Sequence, residues 1–365
     1  MNLDNPYLLL TPGPLSTTPT VRKAMLRDWC TWDADYNEIV QKIRSGLLAI
    51  GKASDEYTAV LMQGSGSFSV EAVLWTALTP QSHLLIVSNG AYGQRMAKMA
   101  SMMGAKSTLL PFAENTRPSV EAVEEALSSK KGITHVGMVH CETTTGILND
   151  FLPIAQMAKS MGKFVILDAM SSFGGIPIDL SDGNVDFLIS SANKCIQGVP
   201  GFGFVLAKRE LLESCKGNSK SHSLDLYDQW YSMETQSGKW RFTSPTHTVR
   251  AFQQAMNELD AEGGVVARNM RYSENHRVLV NGMNNIGLEP FLSPELQSPI
   301  ITAFLEPDSG LFDFKKLYDG LKKEGFVIYP GKVSKATTFR IGHIGNVFPK
   351  DIERLCHAVE KIRFW

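Results

Sequence analysis

The sequence predicts an α/β protein built on a mainly parallel sheet, and three observations carry that expectation. Seven short apolar runs alternate with stretches of helical periodicity between residues 59 and 207. Most of these runs are continuously apolar rather than alternating, as strands covered by helices on both faces must be. Residues suited to chemistry cluster just beyond the carboxyl ends of the runs, where open parallel sheets bind ligands.

The runs fall at 59–62, 84–87, 107–110, 135–140, 164–168, 187–190 and 202–206, giving seven expected strands. Between them, residues 68–78, 92–103, 120–128 and 154–161 carry apolar side chains three or four apart and read as helices. Residues 249–286 read as long helices interrupted at Gly263 and Gly264. A smaller α+β pattern follows: strand 300–305, helix 314–324, strands 327–329 and 338–341, and helix 350–363. The division expected is an N-terminal segment, 1–20, a large domain, 21–260, and a small C-terminal domain, 261–365.

Bulk properties narrow the function. The chain has 365 residues, 43% apolar and 20% charged, with a formal net charge of −1. That balance offers no electrostatic case for nucleic acid or an anionic membrane surface as partner, and a small-molecule substrate is expected. Five cysteines, Cys30, Cys141, Cys195, Cys215 and Cys356, show neither a CxxC spacing nor an even count. They read as reduced thiols, with no metal centre expected. Without a signal-like N-terminus or a membrane-length apolar run, the expected location is the cytoplasm.

Asp168 and Lys194 are the most informative residues, because each closes a β-branched apolar run. Taken singly, each is as well explained by an ion pair or a surface position. Together they suit pyridoxal phosphate: a lysine that holds the cofactor aldehyde as a Schiff base and an acid that keeps the ring nitrogen protonated. Ser65, Gly66 and Ser67 lead straight into a helical segment, whose amide-rich start favours a phosphate, although Gly-Ser-Gly is also an ordinary turn. No Gly-Lys-Ser/Thr follows, and no dinucleotide fingerprint is present. Tyr92 is placed to stack on a flat ring or to pack into the core. Thr143, Thr144 and Thr145 can donate hydroxyls or merely form a turn. His247, before a long helix, reads as a cap or core residue and takes no part in the chemistry. Arg340 lies between Phe339 and Ile341 on an expected strand, so alternation turns it to the opposite face, where a guanidinium captures a carboxylate or phosphonate or, on an edge strand, meets solvent.

In this order the signals resemble those of the fold-type I, class V pyridoxal phosphate aminotransferases, over nearly the whole chain. The resemblance implies that Lys194 carries the cofactor and that Asp168 partners its ring nitrogen. It implies that Tyr92 is the stacking ring, that Ser65, Gly66 and Ser67 hold the phosphate, and that Thr144 and Asn193 contact the cofactor. It further implies that Thr243 reaches the phosphate of the other subunit of a homodimer, and that Arg340, with Pro12 and Gly13, binds substrate. Segments 7–15, 30–33, 64–67, 142–146, 168–175, 190–201 and 238–246 are similar to the branch of the class that moves the amino group of 2-aminoethylphosphonate to pyruvate. The alternatives are an alanine- or serine-glyoxylate enzyme of the same class, a nicotinamide oxidoreductase, and a non-catalytic pyridoxal-binding regulator.

Overall fold

The computed structural model describes residues 5–331, 333 and 336–365, so the first four residues of the expected N-terminal segment lie outside the described residues. All seven expected strands form, and they share one sheet: β1 (Tyr57–Gln63), β2 (His83–Ser88), β3 (Lys106–Pro111), β4 (His135–Val139), β5 (Phe164–Asp168), β6 (Phe187–Ser191) and β7 (Phe202–Lys208). The spatial order is β1-β7-β6-β5-β4-β2-β3, with β7 antiparallel to both neighbours and every other pair parallel.

Burial explains the continuous apolar runs. The inner strands β4, β5 and β6 lie between helices on the two faces, and Val136, Ile166, Leu167, Leu188 and Ile189 are all buried. The edge strand β3 instead has only exposed and half-buried residues. Each large apolar side chain buried here contributes roughly 1.5–3 kcal/mol. Two helices not anticipated from the sequence complete the layer, Ala34–Ile50 and Leu226–Thr235, both packed on β1.

A second core lies beyond the long helices Thr246–Glu262 and Gly264–Asn285, which meet at the left-handed Gly263. Leu279 and Met283 of the later helix pack there with Phe304, Phe339, Ile341 and Leu355. The strand expected at 327–329 is divided in the structure. Phe326–Val327 pairs in parallel with Leu8–Leu9, whereas Tyr329–Pro330 pairs with Thr338–Gly342. Buried Ile328 sits at the division, where the chain leaves one sheet for another. Leu10 follows the first pairing into the same core, so residues 8–10 pack with this lobe, whereas Thr18 and Thr20 donate to Glu258 of the helix Thr246–Glu262.

Candidate active site

Beyond β1 the chain turns at Gly64, whose φ of 107° is open to glycine and costly for other residues. The helix Gly66–Ala77 starts immediately, with Ser65 as its N-cap. The Ser65 side chain makes no capping hydrogen bond, and no acidic residue occupies the first turn. The first amides therefore lack intrahelical partners and present partial positive charge to the cavity in front of them. That cavity is about 190 Å³, and Ser65, Gly66, Ser67, Tyr92, Arg95, Asp168, Met170, Asn193 and Lys194 line it.

Asp168, at the end of β5, is 6% exposed, and its Oδ1 accepts the Met170 amide at 2.9 Å. Burial pushes its carboxyl up to about 6, against the pull of the Met170 amide and the charges of Lys194 and Arg95. Lys194 lies in the loop after β6, and its Nζ donates to the Pro12 carbonyl at 2.8 Å. Burial pushes the Lys194 amine down to about 8, Asp168 opposes this, and Arg340 adds to it. Such an amine is a usable nucleophile and proton carrier near neutral pH, which an ordinary lysine is not.

The Lys194 loop is held from two sides. Gln197 adopts a left-handed φ of 68°, its amide donates to the Lys194 carbonyl at 2.7 Å, and its Nε2 donates to Tyr272 Oη at 2.7 Å and to the Gly345 carbonyl at 2.9 Å. On the other side Gly13 is stacked on Lys194, with a φ of 116°. A Cβ there would lie 2.8 Å from both the Asn193 oxygen and Lys194 Cδ.

Tyr92 is fixed at both ends. Its amide and that of Gly93 donate to Glu142 Oε1 at 3.1 and 3.0 Å, and its hydroxyl accepts from Thr143 Oγ1 at 3.1 Å. Glu142 is fully buried; burial pushes its carboxyl up to about 7, although these two amides draw it down. Thr144 is fully buried, and its hydroxyl donates to Glu142 Oε2 at 3.4 Å without lining the cavity. Thr243 is exposed and also lies outside the cavity.

Arg340 arrives from the second lobe. Phe339 and Ile341 enter the core there, while Arg340 turns to the opposite face, as alternation requires. Its strand has neighbours on both sides, which removes the edge-strand alternative. Arg340 is 5% exposed; Nε donates to the Pro330 carbonyl at 2.9 Å and Nη1 to the Thr143 carbonyl at 2.8 Å. Nη2 has no protein acceptor among the described residues. Arg340, Pro12 and Gly13 therefore border Lys194 from outside the cavity that holds Asp168.

Sequence reasoning missed Arg95, Met170, Gln197 and the anchoring role of Glu142. Only Arg95 carried a signal, since it follows Tyr92 by three residues and so shares its helix face.

The comparisons with known proteins agree with this geometry. The family model described as aminotransferase class-V matches residues 22–318, well over half of the chain. The chain belongs to the class-V aminotransferases. Among relatives in this family, a 2-aminoethylphosphonate–pyruvate transaminase from Syntrophobacter fumaroxidans is 60% identical over 98% of this chain and 96% of its own. One of the same name from Phocaeicola vulgatus is 58% identical over 98% and 99%. Solved structures of similar fold are more distant in sequence. An alanine–glyoxylate aminotransferase from Nostoc superposes with a TM-score of 0.89 at 23% identity, over 99% of this chain and 96% of that one. A pyridoxamine-pyruvate aminotransferase from Mesorhizobium loti gives 0.89 at 22%, over 98% and 93%.

The cofactor of this class-V aminotransferase is pyridoxal phosphate, and the donor set fits it. The uncapped helix start with Ser65 and Ser67 suits the phosphate, Asp168 the ring nitrogen and Lys194 the aldehyde.

Proposed function

We propose that this aminotransferase moves the amino group of 2-aminoethylphosphonate to pyruvate, giving phosphonoacetaldehyde and L-alanine. The observation that carries the reading is the identity of 58–60% to transaminases of that name along nearly the entire chain.

When bound, pyridoxal phosphate supplies an electron-accepting ring. The chain's own residues do the rest. The Lys194 amine, once free of the cofactor, moves the proton at the substrate's reacting carbon from a position fixed by Pro12, Gly13 and Gln197. The Asp168 anion stabilises the protonated ring nitrogen, and an adjacent cation offsets the burial that raises its carboxyl pKa. Tyr92 supports the ring face, held in place by Glu142 and Thr143. Arg340, steadied by two backbone carbonyls and with no acceptor for Nη2 among the described residues, pairs with the phosphonate in one half-reaction and the carboxylate in the other. Asn193 and Thr243 complete the proposed cofactor shell, with Thr243 acting on the partner subunit of a homodimer, while Thr144, buried against Glu142 and outside the cavity, acts only through that carboxylate. Exposed Trp32, Tyr231 and Phe242 supply apolar surface for that contact. The three-part division at 1–20, 21–260 and 261–365 and a cytoplasmic location belong to the same reading. Among the described residues no helix is long and apolar enough to cross a membrane.

The test mixes the loaded protein separately with 2-aminoethylphosphonate, L-alanine and L-serine and follows the visible absorption of the lysine-linked cofactor. Loss of that band with the phosphonate and with alanine, but not with serine, is expected. Conversion by serine alone would overturn the assignment.

A further inference from the structure

We propose that Arg95 is a ligand of the cofactor phosphate and supplies the fixed positive charge of the cup that Ser65, Gly66 and Ser67 begin. The inference rests on the pyridoxal phosphate reading of this same cavity.

A phosphate dianion bound only by hydroxyls and a helix start leaves much of its charge uncompensated, because the helix terminus contributes about half an elementary charge. The cavity wall carries two cations among the described residues, Lys194 and Arg95. Lys194 is committed to the cofactor aldehyde and to proton transfer. Arg340, the other nearby guanidinium, already donates to the Pro330 and Thr143 carbonyls and lies outside the cavity.

Arg95 is differently placed. It stands one helical turn after Tyr92 on the helix Ala91–Met102, so both side chains face the same way. Its Nη1 donates to Ser67 Oγ at 3.3 Å, which brings the guanidinium to the cup itself. Its Cζ lies 4.9 Å from the centre of the Tyr92 ring, so the aromatic platform holds the cation without neutralising it. No carboxylate forms an ion pair with Arg95 among the described residues. A planar fork with an unspent charge beside a hydroxyl and free amides is the geometry that recognises phosphate oxygens.

The bland alternative is that Arg95 only braces Tyr92. The two roles separate through the cofactor's phosphate. Titration of the cofactor-stripped full chain with pyridoxal phosphate and with pyridoxal, by calorimetry, compares ligands that differ in that group alone. Arg95→Gln should weaken pyridoxal phosphate binding by roughly 10- to 100-fold, the range for a charge-assisted hydrogen bond. Pyridoxal, which has the same ring to stack, should stay within about threefold and serves as the control for folding. Equal loss for both ligands, or no change for either, would overturn the proposal. If the unsubstituted protein bound neither ligand, the cofactor reading underneath would fall instead.

Discussion

The two walls of the site are built by different means. On the sheet side, Asp168 closes β5 and Lys194 lies early in the loop after β6, both against one continuous core. On the opposite side, Arg340, Pro12 and Gly13 come from segments more than three hundred residues apart, joined by the pairing of Leu8–Leu9 with Phe326–Val327. On the proposed reading, the sheet wall carries the acid and the amine about the cofactor. On the same reading, the lobe wall carries the anchor for the substrate's acidic group. The two walls thus rest on two separately packed cores.

Substitutions on the two walls should therefore fail in different ways. The largest effect is expected from Lys194→Ala. Cofactor should still bind without a covalent link, while turnover falls about 10,000-fold, the upper range for loss of a general acid–base group. Multiple-turnover product measurement checks this. The same amine predicts a pH dependence of cofactor attachment. Its pKa is pushed down to about 8, and only the neutral amine attacks. The attachment rate should rise roughly tenfold per pH unit below that value and level off above it. An attachment rate that keeps climbing to pH 10 would contradict the lowered amine pKa.

Asp168→Asn comes next. It keeps the shape but removes the anion opposite the ring nitrogen, and kcat should fall by roughly 100- to 1,000-fold in both half-reactions. A smaller loss, about 10- to 100-fold in kcat/KM, is expected from Arg340→Lys, because a point charge replaces the fork. Here the cofactor affinity should be unchanged, and single-turnover rates with the phosphonate and with alanine should fall together. Loss in only one half-reaction would break the idea of a common anchor. Smallest is Gly13→Ala, which forces a methyl into a 2.8 Å contact at a φ of 116°. Its cost should be about 1–3 kcal/mol of stability, read from the melting curve.

The contrast also explains what was legible in the sequence. Strands β4 to β6 are buried on both faces, so their apolar runs are long and their terminating acid and lysine stand out. The face of Arg340 was legible from alternation, because Phe339 and Ile341 are core residues, whereas its role as an anchor came only from the resemblance. The N-terminal loop was not legible from pattern, since its role depends on a backbone carbonyl and on the missing side chain of Gly13. Glu142 was equally opaque. A buried carboxylate that anchors two amides fifty residues away leaves no local periodicity. The helix Leu226–Thr235 went unread because its apolar residues, Leu226, Tyr227, Trp230 and Met233, sit in a short segment flanked by polar chain. The divided strand at 326–330 shows the limit from the other side. Composition marked an extended segment, but only tertiary pairing decides that Phe326–Val327 and Tyr329–Pro330 join different sheets.

That pairing also has a consequence for biosynthesis. Leu8 and Leu9 are synthesised more than three hundred residues before their strand partners, Phe326 and Val327. A domain that folds during synthesis can complete β1 to β7 and bury Asp168 early, with nothing to seat the loop of Pro12 and Gly13 over Lys194. The pairing that seats the Pro12 carbonyl over the Lys194 amine thus forms only after residues 326–327 have been made.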